Sequence, residues 1–374
     1  MTRLHDLYQR QGQSPWLDNL RRGWMTSGEL QRWIDRGVRG ITSNPTIFAK
    51  AMMDTDDYNR DLARLIGAGA SVTDAYWDLV VADIERALSL LAPIHEASDG
   101  EDGYVSVEVS PALANDEAAT VSAARQLDQR IDAPNLYVKV PATAEGVPAI
   151  QTLVGEGRSI NVTLIFSRHR YGQVMEAYLA GLEARVESLA AGVTPTTGLS
   201  SISSVASFFV SRVDVEIDRR LDEIGSSAAL ALRGKAAVAQ AQLAYRQFRQ
   251  TFTGARWEAL AARGARLQRP LWASTSTKNP AYPDTLYVDA LIGPDTVNTL
   301  PDATLAAFED HGRLARTVDA DPGRAAQVID SLAELGIDIE EVALKLELEG
   351  VGSFAKSFDE VLATLGTRAA ELPA

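Results

Sequence analysis

The sequence predicts an α/β fold: a single (β/α)8 TIM barrel with additional helices and a helical C-terminal extension. Two observations carry this. Short apolar segments alternate with stretches of helical periodicity, the pattern of a parallel sheet. The segments number eight, which favours closure into a barrel over an open sheet. A doubly wound sheet lacks support, because no G-x-G-x-x-G follows the first segment and no P-loop occurs. No internal repeat, low-complexity tract or linker interrupts the chain. Residues 1–374 are therefore read as one barrel domain, with about 300–374 as the extension.

The elements follow in order. Polar residues 1–14 read as a short outer helix. Pro15-Trp-Leu-Asp18-Asn19 is a brief first strand ending in an acid and an amide. Thr26-Ser27-Gly-Glu29-Leu30 opens a helix with capping chemistry, with Leu30, Trp33 and Ile34 on its apolar face and Gly37 at its close. Gly40-Ile-Thr42-Ser-Asn44-Pro45 is a second strand running into a turn. One helix is expected over about 45–65 and another from Thr73, where Tyr76, Leu79, Val80, Ile84, Leu88 and Leu91 keep helical spacing. Residues 104–109 alternate as a third strand. After a helix over 116–130, residues 135–141 form the fourth, bracketed by Pro134 and Pro141. Pro148 suits the first turn of a short helix. Residues 159–166 are the fifth strand, and Ser167 caps a long helix ending near Gly192. The sixth strand is 203–210, with helices expected over 213–224 and 228–253. The seventh is 269–274 and the eighth 286–292. Past residue 300 the periodicity is helical as far as Leu365.

Composition excludes several functions. The chain is 46% hydrophobic and 23% charged, ordinary for a soluble enzyme with a large core. A net charge of -14 without an offsetting basic stripe argues against a nucleic-acid partner. The absence of cysteine removes disulfides, thiolate chemistry and cysteine metal sites. His5, His95, His169 and His311 lie outside the strands without metal-ligand spacing, so no metal is expected. No apolar run suffices to span a bilayer and no signal-like apolar segment opens the chain, which leads to the expectation of a cytoplasmic protein without a membrane partner.

The fourth strand, Asn135-Leu-Tyr-Val-Lys139-Val-Pro141, holds one charge in an apolar setting. A buried lysine either sheds its proton, becoming a nucleophile that forms a Schiff base with a carbonyl, or it snorkels or pairs with a carboxylate. Lysine occurs only at 50, 139, 235, 278, 345 and 356. The other basic residues are arginine, which cannot act as an amine nucleophile. Barrel chemistry gathers at the carboxyl ends of strands. There the chain offers Asp18, then Thr42 and Asn44, Glu108, Lys139, Asn161 and Thr163, Ser207, and Ser274, Ser276 and Lys278, with Arg212 shortly after the sixth strand. Each alone reads as a satisfied buried polar group or a cap. Together they supply an amine, two carboxylates for proton traffic, amides and hydroxyls for sugar hydroxyls, and two cations for a phosphate.

The stretches Gly40-Ile-Thr-Ser-Asn-Pro-Thr-Ile-Phe48, Val105-Ser-Val-Glu-Val109, Leu136-Tyr-Val-Lys-Val-Pro141, Ile160-Asn-Val-Thr-Leu-Ile-Phe-Ser167 and Ser207-Phe-Phe-Val-Ser-Arg212 resemble transaldolase motifs in transaldolase order. Trp272-Ala-Ser-Thr-Ser-Thr-Lys-Asn-Pro280 and Asn298-Thr-Leu-Pro301 extend the resemblance, which covers about residues 10–360 and is nearest the longer bacterial subfamily. The resemblance implies a cofactor-free enzyme of the non-oxidative pentose phosphate pathway. Such an enzyme passes a dihydroxyacetone unit from fructose 6-phosphate or sedoheptulose 7-phosphate to glyceraldehyde 3-phosphate or erythrose 4-phosphate. It implies Lys139 as the Schiff-base lysine, Asp18 as acid/base for carbon–carbon cleavage, and Glu108 with Thr163 holding a catalytic water. Asn44 and Asn161 are implied to bind hydroxyls of the three-carbon unit, with Thr42 supporting, Ser207 lining the pocket and Arg212 taking the phosphate. The chain departs from the family at the second phosphate contact: Ser274-Thr-Ser276-Thr-Lys278 stands where many members have Ser-x-Arg, a point charge replacing a bidentate fork. Two other functions remain open at this stage: a fructose-6-phosphate aldolase releasing free dihydroxyacetone, and a non-catalytic sugar-phosphate-binding barrel. The assembly, monomer or homodimer, is also open.

Overall fold

A computed structural model describes residues 1–192 and 198–371. Eight parallel strands close into a barrel in sequence order. They are β1 (Gln13–Leu17), β2 (Ile41–Thr42), β3 (Val105–Glu108), β4 (Leu136–Pro141), β5 (Ile160–Ile165), β6 (Ser204–Phe209), β7 (Gln268–Ala273) and β8 (Thr296–Leu300). Alternation along each strand sends one set of side chains outward under the helices and the other into the barrel. Leu136, Val138 and Val140 are the buried outward set of β4, and Tyr137 and Lys139 are the inward set. The pairings Glu108↔Lys139 and Lys139↔Asn161 place these three inward groups side by side on β3, β4 and β5.

The barrel interior is built in tiers. At the amino-terminal end, buried Asp102 accepts hydrogen bonds from Ser14 Oγ, Trp16 Nε1, Arg39 Nε and Arg269 Nη2. Burial pushes its carboxyl pKa up, but Arg269 and Arg39 outweigh that and hold it below the usual range. Next comes an aromatic tier, with Tyr104 stacked on Tyr137 at 4.1 Å and Trp16 against Tyr137 at 6.0 Å. Above it lie the hydroxyls and amide of Ser106, Asn161 and Ser207, joined by hydrogen bonds. Gly40 admits the indole of Trp16: a Cβ there would lie 2.4 Å from the ring.

Three expectations are corrected. Residues 286–292 are not the eighth strand; Leu286–Asp289 is a short helix, and β8 lies beyond it. The buried residues Tyr287, Val288, Leu291 and Ile292 have helical spacing, which an apolar run conceals. The true strand buries Thr296, Asn298 and Thr299, so hydropathy passes over it. The helix expected over 45–65 is two, Pro45–Met53 and Asn59–Gly67. The helix over 228–253 is also two, Ser227–Leu230 and Ala236–Thr251, parted near Gly234, whose left-handed φ of +69° faces the Tyr282 ring. The remaining helices match within a few residues, including Arg168–Ala190 capped by Ser167.

The C-terminal helix, Ile339–Glu371, lies over the carboxyl end of the barrel. Polar ties hold it: Arg220 with Glu341, Lys345 with Glu216, Arg170 with Glu347, Thr46 with Ser357, and Arg368 with the carbonyls of Met52 and Thr55. Gly350 lets it approach Leu164 at the bulge of β5, where a Cβ would meet Leu164 Cδ2 at 2.9 Å. Among the described residues no helix is long and apolar enough to cross a membrane.

Gly40→Ala is expected to lower stability by about 1–3 kcal/mol, the usual range for overpacking a filled core. Denaturant unfolding measures this, and a neutral result would mean that Trp16 moves freely.

Candidate active site

Lys139 points inward from β4 with its side chain only 4% exposed. Its Nζ donates to the Ser43 carbonyl at 3.1 Å and lies 3.3 Å from Glu108 Oε2. The amine thus meets a carboxylate within the site and does not snorkel to solvent. Burial pushes the Glu108 pKa up; Lys139 pulls against it, and nearby Asp18 adds to the rise. The Glu108–Lys139 contact is an ion pair without normal hydrogen-bond geometry at Oε2, and Thr163 Oγ1 is likewise buried without a hydrogen bond. Two such oxygens near one amine suit an ordered water.

Asp18 stands one residue past β1. Burial raises its pKa most; Lys139, the Thr42 hydrogen bond, Arg212 and Lys278 oppose this without cancelling it. Thr42 Oγ1 donates to Asp18 Oδ1 at 2.7 Å. Asn44 caps the helix Pro45–Met53, its Oδ1 accepting from Ile47 N at 2.9 Å, so its amide nitrogen is the end left for a ligand. Asn161 is oriented from both sides: Nδ2 donates to Ser106 Oγ at 3.0 Å, and Oδ1 accepts from Ser207 Oγ at 2.7 Å.

Cations gather at one edge. Arg212, in the first turn of the helix Ser211–Ile224, lies over the Phe209 ring at 5.3 Å. Burial pulls its pKa down against the attraction of Asp18, Glu108 and Glu349. Lys278 is lowered by burial and then by Arg212, with Asp18 opposing. It donates to Ser276 Oγ at 2.6 Å. Ser274 takes a left-handed φ of +56°, and its hydroxyl meets that of Ser211 at 2.9 Å. A half-buried arginine and an exposed lysine that repel each other, beside serine hydroxyls and a helix amino terminus, form an arrangement relieved by an anion.

All the site residues expected from sequence, except Glu108 and Asn161, line one cavity of about 160 Å³. Asn161 lies fully buried beneath it. Glu108 faces a small gap beside Tyr76 and Phe358, in contact with Lys139. Sequence reasoning passed over Thr299 and Phe354, which also line the cavity, and Ser106. Asn298-Thr-Leu-Pro301 was a visible signal for Thr299, but no residue of the last helix had one. A larger groove of about 830 Å³ opens near the amino-terminal end of the barrel. Its cations are already occupied, Arg158 by Asp128 and Arg266 by the Ser200 carbonyl, so it lacks convergent free groups. Among the described residues, no group of three or more His, Asp or Glu is placed to hold a metal.

The barrel and its strand-borne lysine define a class: the Schiff-base, class I aldolases. Within it the chain belongs to the transaldolase family. The family profile described as Transaldolase/Fructose-6-phosphate aldolase matches residues 15–365. Curated relatives named transaldolase agree over nearly their whole length. That of Thermobifida fusca is 50% identical over 353 residues, 94% of each chain. That of Saccharopolyspora erythraea is 51% identical over 358 residues, 95% of this chain and 94% of the relative. That of Mycobacterium leprae is 48% identical over 354 residues, 94% and 92%.

Removing Lys139 strands a buried carboxylate. Lys139→Ala is expected to cost about 3–5 kcal/mol at neutral pH, as breaking a buried pair does. The sign with pH follows from Glu108. Its folded pKa already lies above the unfolded value and rises further without Lys139. A raised folded pKa favours the folded state at low pH and penalises it as pH rises. The variant's deficit should therefore shrink as pH falls toward the unfolded carboxylate pKa. Unfolding curves across that range check this; a deficit that grows on acidification would contradict it.

Proposed function

We propose that the chain transfers a dihydroxyacetone unit between sugar phosphates, with Lys139 carrying the unit as a Schiff base. The donors are fructose 6-phosphate or sedoheptulose 7-phosphate, and the acceptors glyceraldehyde 3-phosphate or erythrose 4-phosphate. One observation supports this most: a buried Lys139 amine 3.3 Å from the Glu108 carboxylate, with Asp18 on the wall of the same cavity.

The chemistry proceeds from the groups present. Glu108 accepts a proton from Lys139, and the neutral amine adds to the ketose carbonyl. A water between Glu108 and Thr163 relays protons as the carbinolamine loses its hydroxyl and becomes an iminium. Asp18 then takes the proton of the C4 hydroxyl. The C3–C4 electron pair flows into the iminium, leaving an enamine on Lys139 and freeing the aldose phosphate. An acceptor aldehyde reverses these steps. Asn44 and Asn161 hold hydroxyls of the retained unit, with Thr42 and Ser207 beside them. Arg212, with Lys278 and a hydroxyl of Ser274 or Ser276, takes the phosphate. The C-terminal helix places Phe354 against the cavity, where its ring keeps water from the enamine.

Incubation with fructose 6-phosphate and borohydride should add a reduced three-carbon adduct to the peptide bearing Lys139, read by mass spectrometry. Lys139→Arg, which keeps the charge beside Glu108, should give no adduct and no transfer. Asp18→Asn should still be trapped through its imine while cleavage slows. An adduct on another lysine would overturn the assignment.

Phe354→Ala is expected to raise free dihydroxyacetone relative to transferred product when acceptor is present. Product analysis measures the ratio; an unchanged ratio would remove Phe354 from water exclusion.

A further inference from the structure

Thr42 Oγ1 lies 2.7 Å from Asp18 Oδ1 and 2.6 Å from Thr299 Oγ1. A threonine hydroxyl has one hydrogen. When Asp18 is ionised, Thr42 gives that hydrogen to the carboxylate, so the second contact can form only with Thr299 as donor. The direction is then fixed: Thr299 to Thr42 to Asp18. We propose that Thr299 is a positioning residue for Asp18, acting through Thr42, so that Oδ1 stays occupied as an acceptor and Oδ2 is reserved for the substrate hydroxyl. The inference rests on Asp18 as the base of the proposed reaction.

The surroundings favour this role. Thr299 is only 2% exposed, and its χ1 freedom is limited by branching at Cβ. It sits on β8, whose Leu300 carbonyl accepts the Asp18 N–H at 2.8 Å, so one strand orients both the backbone and the carboxylate of Asp18. β8 is itself tied to the loop after β7, because the one hydrogen of Thr275 Oγ1 is shared between two acceptors on β8, Asn298 Oδ1 at 3.0 Å and the Thr299 carbonyl at 3.2 Å. The ionisable groups around Asp18 are Lys139 on β4, Glu108 on β3, Arg212 on the helix after β6 and Lys278 on the loop after β7. In the proposed cycle each changes its bonding or engages a substrate. The threonine pair is the neutral contact that persists throughout, and it keeps the base aimed while the charges around it are redistributed.

Thr299→Val keeps the shape and removes the donor. Thr42 then lacks the partner that directs its hydrogen, and the ionised form of Asp18 loses support. The acid limb of the pH profile for carbon–carbon cleavage should move to higher pH, and kcat should fall roughly tenfold, the scale of one lost buried hydrogen bond between neutral groups. KM and the borohydride-trapped fraction should stay as in the unaltered enzyme, and Thr299→Ser should restore the profile. Thr299→Ala is read in the same way if the valine variant does not fold. Asp18→Asn is the control. If it is inactive in cleavage while Thr299→Val keeps both the acid limb and the rate, the positioning role is overturned. Equal loss of trapping and cleavage in Thr299→Val would also overturn it, leaving a purely structural residue. If Asp18→Asn cleaves normally, the base assignment fails first and the positioning role with it.

Discussion

The buried contact between Lys139 and Glu108 is the constraint the rest of the molecule answers to. Each group alone would be too costly to dehydrate, and even as a pair they repay that cost only if further polar contacts surround them. The barrel meets this by register. β3 and β4 are paired so that Glu108 and Lys139 sit opposite each other, and the turn after β2 brings the Ser43 carbonyl to the amine. A shift of one residue on either strand would turn one partner outward under the helices. The aromatic tier of Trp16, Tyr104 and Tyr137 fills the barrel on the amino-terminal side of the pair.

Electrostatics divides the cavity into two regions. Around Lys139 the polar atoms are mostly acceptors: two carboxylates, a carbonyl and the oxygen of Thr163. At another edge, burial pulls the Arg212 and Lys278 pKa values down, Arg212 lowers that of Lys278 further, and Ser274 and Ser276 line the same cavity beside the helix amino terminus. A ligand with a carbonyl at one end and a phosphate at the other satisfies both regions at once. The C-terminal helix closes over the space, anchored at intervals by ion pairs and, at Gly350, by close contact with β5. Excluding water matters more for a transferase than for a lyase, because the carbon fragment has to wait on the protein for its acceptor.

Legibility of this arrangement in the sequence varied with the kind of signal. β3, β4, β5 and β6 are fully buried strands in which apolar residues are interrupted by polar ones, and of those Lys139, Thr163 and Ser207 line the cavity while Glu108 and Asn161 border it. β8 is the reverse: Thr296, Asn298 and Thr299 are polar though the whole strand is buried, so hydropathy favoured the apolar run at 286–292, where Leu286–Asp289 is helical. Misplacing that strand hid Thr299, although its motif had been noticed. Ser106 was passed over because a serine in an alternating strand looks like a solvent-facing residue; only the closed barrel turns that face inward.

The sequence by itself determined the barrel class, the strand that bears the amine and the inventory of polar strand ends. These depend on local periodicity and on residue types whose burial is costly. The tertiary structure decided what no local pattern encodes. It chose Glu108 as the partner of Lys139, set Asn161 beneath the cavity, brought Thr299 into line with Thr42 and Asp18, and laid Phe354 over the mouth from far along the chain. Those are contacts between residues distant in sequence, and they exist only once closure of the sheet has brought the strand ends together.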